Sequence, residues 1–355
     1  MTESNRLYSL FSKHQFWEKN KNMVWLASSV RLLRNVEKFF FPGKLNVERK
    51  SQIVTLLHKE LLSNPELQGS HFYKADKLNS LEKEFLVEHF LSQQLYHQAG
   101  EGEAFVVDDK GEFITEMNLR NHMQMSLLDG KGELENTLNR LIKIESALGK
   151  TITYSYSPKF GFLTADPTEC GTALQVTAFL QLSALIHSET IDDLLEKYAD
   201  DSITITGIQG NPTEIIGDVI AAQNTYTLGL TEENVLSSLR NFITKILVEE
   251  HAERNRIKQT ANPVIKDKVS RAYGILIHSY QIEAVEALNA ISLLKLGVDL
   301  GWVTGIDSAG LNTLFSNCRR AHLLCQYEGK ISQDEIPHKR SEFIHKKLNG
   351  VQLTI

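Results

Sequence analysis

The residues of this chain that could do chemistry are scattered, and most lack the partners that the chemistry would need. Twelve histidines are present, but His89, His122 and His251 have no metal-ligating partner at i+4, so they read as surface or packing residues. Cys170 sits beside Gly171 with no histidine near it in sequence, which favours an inert buried thiol over a nucleophile. Arg319-Arg320, His338-Lys339-Arg340 and Lys346-Lys347 make a modest basic region that a solvated helix face accounts for first. Four common signatures are missing: G-x-x-x-x-G-K-[ST] and G-x-G-x-x-G for phosphates, H-E-x-x-H for zinc, and G-x-S-x-G for a serine nucleophile.

The elements that would position such residues are mixed. Residues 1–70 read as mostly helical, with Leu32, Leu33, Val36 and Phe39 leading to a stop at Pro42-Gly43. Ile53, Leu56, Leu57 and Leu61 repeat at helical spacing, and 80–96 is a second short helical stretch. The middle changes character. Residues 104–107 and 112–117 flank Asp108-Asp109-Lys110-Gly111, a β-hairpin pattern. A helix over 134–148, a strand near 154–156, a buried helix around 172–186, and strands near 202–207 and 224–228 follow. From Thr231 the pattern is helical throughout, with stripes over Val285, Leu288 and Ile291 and over Leu311, Leu314, Phe315 and Cys318. This order predicts an α+β fold with an antiparallel sheet flanked by helices, then an all-α domain. The expected domains are residues 1–254, mostly helical over the opening residues 1–98, and residues 255–355.

The chain has 355 residues, with 44 acidic against 38 basic side chains and a formal net charge of −6. That balance argues against a nucleic-acid binder. No apolar run reaches the ~20 residues of a membrane helix, and the first 22 residues hold no signal-peptide core. Three cysteines, Cys170, Cys318 and Cys325, make neither a disulfide framework nor a zinc site, so the expected compartment is the cytoplasm and the expected metal is none.

One stretch is more specific. Residues 160–174 read F-G-F-L-T-A-D-P-T-E-C-G-T-A-L. They resemble the G-Y-L-T-x-C-P-T-N-x-G-T-G-L-R signature of the ATP:guanidino phosphotransferases, the phosphagen kinases. Residues 27–35, A-S-S-V-R-L-L-R-N, resemble the family's S-S-R-[IV]-R-L-A-R-N. Leu81-Glu82-Lys83 with Leu86-Val87-Glu88, Arg271-Ala272-Tyr273-Gly274-Ile275-Leu276 and Leu296-Gly297-Val298-Asp299-Leu300-Gly301 resemble segments of the bacterial protein-arginine kinase branch. The resemblance runs in order from about Trp17 to Asn349. It implies a phosphagen-kinase domain followed by a helical domain that dimerises and holds a phosphoarginine pocket.

The resemblance also names the residues to inspect. Phosphoryl transfer to a guanidinium needs cations around the triphosphate and a carboxylate base for the nucleophile. Among the family's cofactor-binding positions Arg31 is retained and Lys74 aligns with a basic residue. Ser29, Gln124, Gln175 and Thr206 replace family arginines. At the catalytic positions Leu119 and Arg120 replace the two candidate bases, Asp166 the guanidinium-contacting cysteine, and Asn211 a glutamate, while Glu169 replaces an asparagine. Asp166 and Glu169 place negative charge where phosphates would sit. The phosphoarginine segment R-D-x-x-R-A keeps Arg340 beside Lys339 and holds Ile336 in place of its first arginine. Pro167, Thr168, Gly171, Thr172, Gly207 and Gly210 survive.

The pattern therefore implies a catalytically impaired or inactive protein-arginine kinase homologue, a pseudokinase acting as an adaptor in bacterial protein quality control. The implied partners are a second copy of the chain, a small zinc-binding activator protein and a Clp-type AAA+ unfoldase; nucleic acid and membrane are not expected. No cofactor is expected. The alternative is an active divergent protein-arginine kinase using Mg-ATP, with Arg31, Lys74, Arg120 and His122 in a rebuilt site.

Overall fold

The structure is a computed structural model that describes residues 6–11, 22, 24–92, 96–327 and 331–355. The resemblance around Trp17 lies outside the described residues. The strands are β1 (Trp25–Arg34), β2 (His71–Lys74), β3 (Ala104–Val107), β4 (Phe113–Met117), β5 (Met123–Asp129), β6 (Tyr156–Ser157), β7 (Gly161–Phe162), β8 (Leu174–Gln181), β9 (Ile203–Gly207), β10 (Val219–Asn224), β11 (Val303–Thr304) and β12 (Gln352–Leu353). The helices are α1 (Arg6–Phe11), α2 (Val47–Ser63), α3 (Ser80–His89), α4 (Leu134–Leu148), α5 (Ser183–His187), α6 (Ile191–Lys197), α7 (Glu232–Thr260), α8 (Pro263–His278), α9 (Ala284–Leu300), α10 (Ser308–Asn317), α11 (Arg320–Gln326) and α12 (Ile336–Lys347). The main sheet has the order β2-β3-β4-β5-β1-β8-β10-β9. The β2–β3, β3–β4, β4–β5 and β5–β1 pairs are antiparallel.

The chain divides into two compact units, Met1–Phe16, Ser28–Thr177 and Gln223–Leu239 in the first and Trp17–Ala27, Ala178–Ala222 and Arg240–Ile355 in the second. In the first, the expected hairpin forms as β3 and β4, and the predicted helix over 134–148 is α4. The core of this unit includes Val30, Leu57, Phe105, Phe113, Met125 and Leu141, all essentially inaccessible. Asn79 caps α3 by accepting from the Glu82 amide, while the Glu82 carboxylate accepts from the Asn79 amide; this capping box fixes where the helix starts.

Two segments expected to be helical are strands. The run ending at Pro42-Gly43 contains β1, and the run around 172–186 contains β8, followed by the short helix α5. Both strands are buried along almost their whole length, so their apolar residues are continuous and do not alternate. The strand near 224–228 lies earlier, as β10.

In the second unit, α7 to α12 carry the fold, with a small antiparallel ladder of Val303 opposite Leu353 and Thr304 opposite Gln352 that the sequence does not announce. Leu288, Ile291, Leu311, Leu314 and Cys318 are buried within the chain itself. Val285 of the first stripe is exposed. Lys295 is buried too, its ammonium donating to Gln181 Oε1 at 2.9 Å and Asn312 Oδ1 at 2.7 Å. Burial drives its pKa well down.

Candidate functional site

The register of the sheet gathers the first cluster. Arg31 stands opposite Ser126, Ser29 opposite Leu128 and Leu33 opposite Gln124 on β5, while β4 sets Glu116 opposite Gln124. Directly opposed side chains share a face, so Ser29, Arg31, Ser126, Gln124 and Glu116 stand on one face of the sheet. All are buried. The Arg31 guanidinium donates through Nε to Ser29 Oγ at 3.2 Å. Glu116 Oε1 accepts from the Tyr96 hydroxyl at 2.5 Å and from Gln124 Nε2 at 3.0 Å. Burial pushes the Glu116 carboxyl up to about 7, against the opposing pull of the Tyr96 bond, the Arg31 charge and the Gln124 bond. Gln124, where the resemblance expects a phosphate-binding arginine, thus holds a carboxylate.

Glu116 and Tyr96 escape a reading of the sequence alone. A signal exists: Glu116 is a charged residue within a buried strand, and period-two alternation on a registered hairpin places it with Gln124.

A second cluster is built by the turn between β4 and β5. Asn35 fixes that turn: its Nδ2 donates to Asn121 Oδ1 at 2.8 Å and its Oδ1 accepts from the His122 amide at 2.8 Å. Asn121 Oδ1 also accepts from the Ala165 amide at 2.8 Å, tying the turn to the 163–165 segment. Arg120 is carried to Asp166 at 2.6 Å and to Glu169 at 3.4 Å. Gln175 Nε2 donates to Glu169 Oε1 at 2.9 Å. Leu119 is half-buried and brings no polar group.

The protonation of this cluster follows from its contacts. Asp166 Oδ1 accepts from the Thr168 hydroxyl at 2.7 Å and from the Thr168 amide at 3.0 Å. Those bonds, with Arg120 in support, hold its carboxyl below the ordinary value. Burial raises Glu169, with Arg120 opposing. The negative charge expected of Asp166 and Glu169 is shared by one cation, Arg120, which contacts both. Replacements from two separate segments, the 118–124 turn and the 160–175 stretch, thus bond to one another, while Glu169 Oε2 keeps no hydrogen-bond partner.

His122 is not poised for proton transfer. Its Nδ1 accepts from the Val36 amide at 3.0 Å and its Nε2 lies 2.9 Å from the Phe40 carbonyl, to which it donates as the neutral ring. Burial lowers its pKa to about 4. Lys74 ends β2 and lines a hollow with His58, Phe72 and Asp76. No hydrogen bond or ion pair joins Arg31, Lys74, Arg120 and His122 to one another.

The second unit holds the remaining positions. Thr206 lies on β9, and Asn211 is exposed beyond it, accepting from the Thr213 amide at 3.1 Å and hydroxyl at 3.0 Å. Arg340 is 2% exposed, and its guanidinium donates to the Cys318 carbonyl at 2.9 Å and the Ile282 carbonyl at 2.8 Å. Lys339 pairs with Glu342 at 2.7 Å, and Ile336 is buried. Among the described residues no group of three or more histidine, cysteine or carboxylate side chains could hold a metal ion, and no helix is long and apolar enough to cross a membrane.

Residues 52–253 match the family described as ATP:guanido phosphotransferase, C-terminal catalytic domain, and residues 262–354 match the protein-arginine kinase McsB C-terminal domain. A protein-arginine kinase of Chlamydia pneumoniae is 33% identical over 338 residues, covering 93% of both chains. The chain belongs to the bacterial protein-arginine kinase branch of the ATP:guanido phosphotransferases. A second protein-arginine kinase, from Halothermothrix orenii, is 31% identical over 92% of this chain and 93% of its own. Among solved structures, the duplicated taurocyamine kinase of Schistosoma mansoni matches with a TM-score of 0.58 at 22% identity, over 68% of this chain and 35% of that one. A lombricine kinase matches with a TM-score of 0.57 at 17% identity, over 68% and 70%. At these identities the structural likeness establishes the fold.

The residues present do not fit the family's magnesium triphosphate. Where the resemblance expects four arginines the chain has Ser29, Gln124, Gln175 and Thr206, and the Arg31 charge acts on the Glu116 carboxyl. Glu169 Oε2 is buried with no hydrogen-bond partner, and a carboxylate oxygen offers a phosphate no donor.

Proposed function

We propose that this chain is a catalytically impaired or inactive protein-arginine kinase homologue that works as a regulatory or adaptor protein. The observation that supports this reading is the placement of Arg120. A cation stands at a base position of the family and is neutralised by Asp166 and Glu169. A guanidinium nucleophile needs a carboxylate there, and Arg120 repels it. Loss of a single transition-state arginine costs ~10³–10⁵ in rate in related phosphoryl transfer. Such losses are not additive, yet several together leave little catalysis.

The implied partners belong to the same proposal: a second copy of the chain, a small zinc-binding activator and a Clp-type unfoldase in protein quality control. The reading is tested by calorimetry with Mg-ATP and by phosphoarginine detection on a generic protein substrate. Absence of both signals is the expected result. A phosphoarginine signal that disappears on Arg31→Ala overturns it.

The second reading, an active divergent kinase, draws on the relatives, which carry the name protein-arginine kinase over nearly their whole length. A rise of several degrees in Tm with Mg-ATP favours it.

A further inference from the structure

At the edge of the main sheet, within the first unit, a hollow of about 350 Å³ opens between α2 and β2. Its lining includes Thr55 and His58 of α2, Phe72 and Lys74 of β2, and Glu101. β2 is the outermost strand on its side of the sheet, and His71 and Lys74 are exposed. The Ala75 amide donates to the Glu103 carbonyl at 2.9 Å, so Ala75 turns its main chain toward the segment leading into β3. Strand alternation then turns Tyr73 and His71 the same way, and Phe72 and Lys74 outward. Among the described residues, Phe72 and Lys74 make no further main-chain hydrogen bond. A strand edge with unpaired N–H and C=O groups is a template for an added strand.

The hollow has a defined chemistry. The His58 ring stacks on Phe72, with centroids 4.0 Å apart and planes at 24°. Burial lowers the His58 pKa, which keeps that ring neutral near pH 7. Carboxylates outnumber cations in the lining, with Asp76, Glu101 and Glu103 against Lys74. Glu103 is taken by Lys50 at 2.7 Å and Asp76 by Lys77 at 3.3 Å, while Glu101 has no ion pair among the described residues. A flat aromatic ledge beside an unpaired carboxylate suits a planar cation better than a compact ammonium. Side chains of an added strand alternate between faces, so every second one stands on the face of Phe72 and Lys74.

We propose that the β2 edge and its hollow receive an extended peptide segment, which adds as a strand and lays one arginine side chain against His58 and Glu101. The unpaired main-chain groups of Phe72 and Lys74 select a peptide over a free amino acid. Lys74, the cation of the lining, disfavours segments rich in further basic residues. This site is distinct from the Arg31 and Arg120 clusters and does not depend on whether the chain is catalytic.

The test uses the full chain and fluorescence anisotropy. The probe is a labelled heptapeptide of alternating threonine and valine with one central arginine; its counterpart carries citrulline, which keeps the shape and removes the charge. Lys74→Pro deletes the outward N–H on a backbone that already has φ −73° and ψ 134°, so the strand tolerates it. Lys74→Gln removes the charge and keeps the N–H. The expected result is saturable binding of the arginine peptide, with affinity roughly tenfold lower for citrulline, for Lys74→Pro and for Glu101→Gln, and unimpaired for Lys74→Gln. The variants should keep the parent Tm. Equal binding of the citrulline peptide overturns the proposal, as does an unchanged affinity in Lys74→Pro. Displacement of the probe by free arginine at the concentration at which unlabelled peptide displaces it also overturns strand addition, leaving a small-molecule site.

Discussion

Arg120 and Asp166 meet at 2.6 Å, and the family resemblance implies a group of different charge at each: an acid in place of Arg120, a cysteine in place of Asp166. The turn after β4 and the 163–165 segment are held together by Asn35 and Asn121 whatever occupies these two sites. Changing a base to an arginine would leave a cation facing the substrate guanidinium; changing the neighbouring cysteine to an aspartate answers it. On the proposed reading the pair is a compensated substitution.

The strength of that pair should be small. Side-chain exposure is 48% for Arg120 and 31% for Asp166, so solvent screens it. A double-mutant cycle with Arg120→Ala and Asp166→Asn should give a coupling of about 0.5 kcal/mol, reduced further in 1 M salt. A coupling above ~2 kcal/mol in urea unfolding would contradict the screened geometry.

Restoring single family residues should restore nothing. Asp166→Cys alone leaves Arg120 in place, still 3.4 Å from Glu169, and Leu119→Glu alone places a carboxylate beside Arg120 with no bound nucleotide to serve. A combined variant with Ser29→Arg, Leu119→Glu, Arg120→Glu, Gln124→Arg, Asp166→Cys, Gln175→Arg, Thr206→Arg and Asn211→Glu should regain nucleotide affinity by calorimetry before it regains turnover. Binding needs the charge cluster, whereas turnover needs near-attack placement. Phosphoarginine formation by Asp166→Cys alone would refute the impaired-kinase reading.

Glu116 makes stability pH-dependent. Its pKa rises from 4.5 in a free chain to about 7 in the fold, so across that window the native state holds the proton more firmly than the unfolded state. Stability contributed by this group is present below pH 4.5 and falls as pH rises toward 7. His122 has the opposite sign: its pKa drops from 6.5 to about 4, so its contribution is lost as pH falls through that range. Tm measured from pH 5 to 8 should fall less steeply in Glu116→Gln than in the parent chain. Parallel profiles would exclude Glu116 as the titrating group.

Gly171 should resist any side chain. Its φ is +113°, and a Cβ there would collide with the Thr227 carbonyl oxygen and stand 2.7 Å from Leu228 Cα. Gly171→Ala should cost about 2 kcal/mol or more in urea unfolding, because neither the backbone region nor the neighbouring main chain can yield.

The sequence carries the amphipathic helices well and the central strands poorly. α4 buries one face, including Leu134, Leu138, Leu141, Ile144 and Leu148, so its period is plain. β1 and β8 are covered on both faces, and a continuous apolar run has no period to read. In the candidate site, motif comparison locates Arg120, Asp166, Glu169 and Gln175 one by one. Their mutual bonds depend on which loops approach, and that is set by Asn35 and Asn121; Asn35 closes the 27–35 motif, but the motif does not say which loops its amide joins. Glu116 goes unnoticed because a lone acidic residue in a strand is usually solvated; here Tyr96 and Gln124 bury it.

Gly161 and Gly171 press backbone against backbone: a Cβ on Gly161 would sit 2.5 Å from the Gly171 oxygen, and one on Gly171 would strike Thr227. Two glycines of the motif are thus required by steric exclusion at a loop crossing. Letters of that kind record architecture, so a chain can keep them whether or not its site still does chemistry.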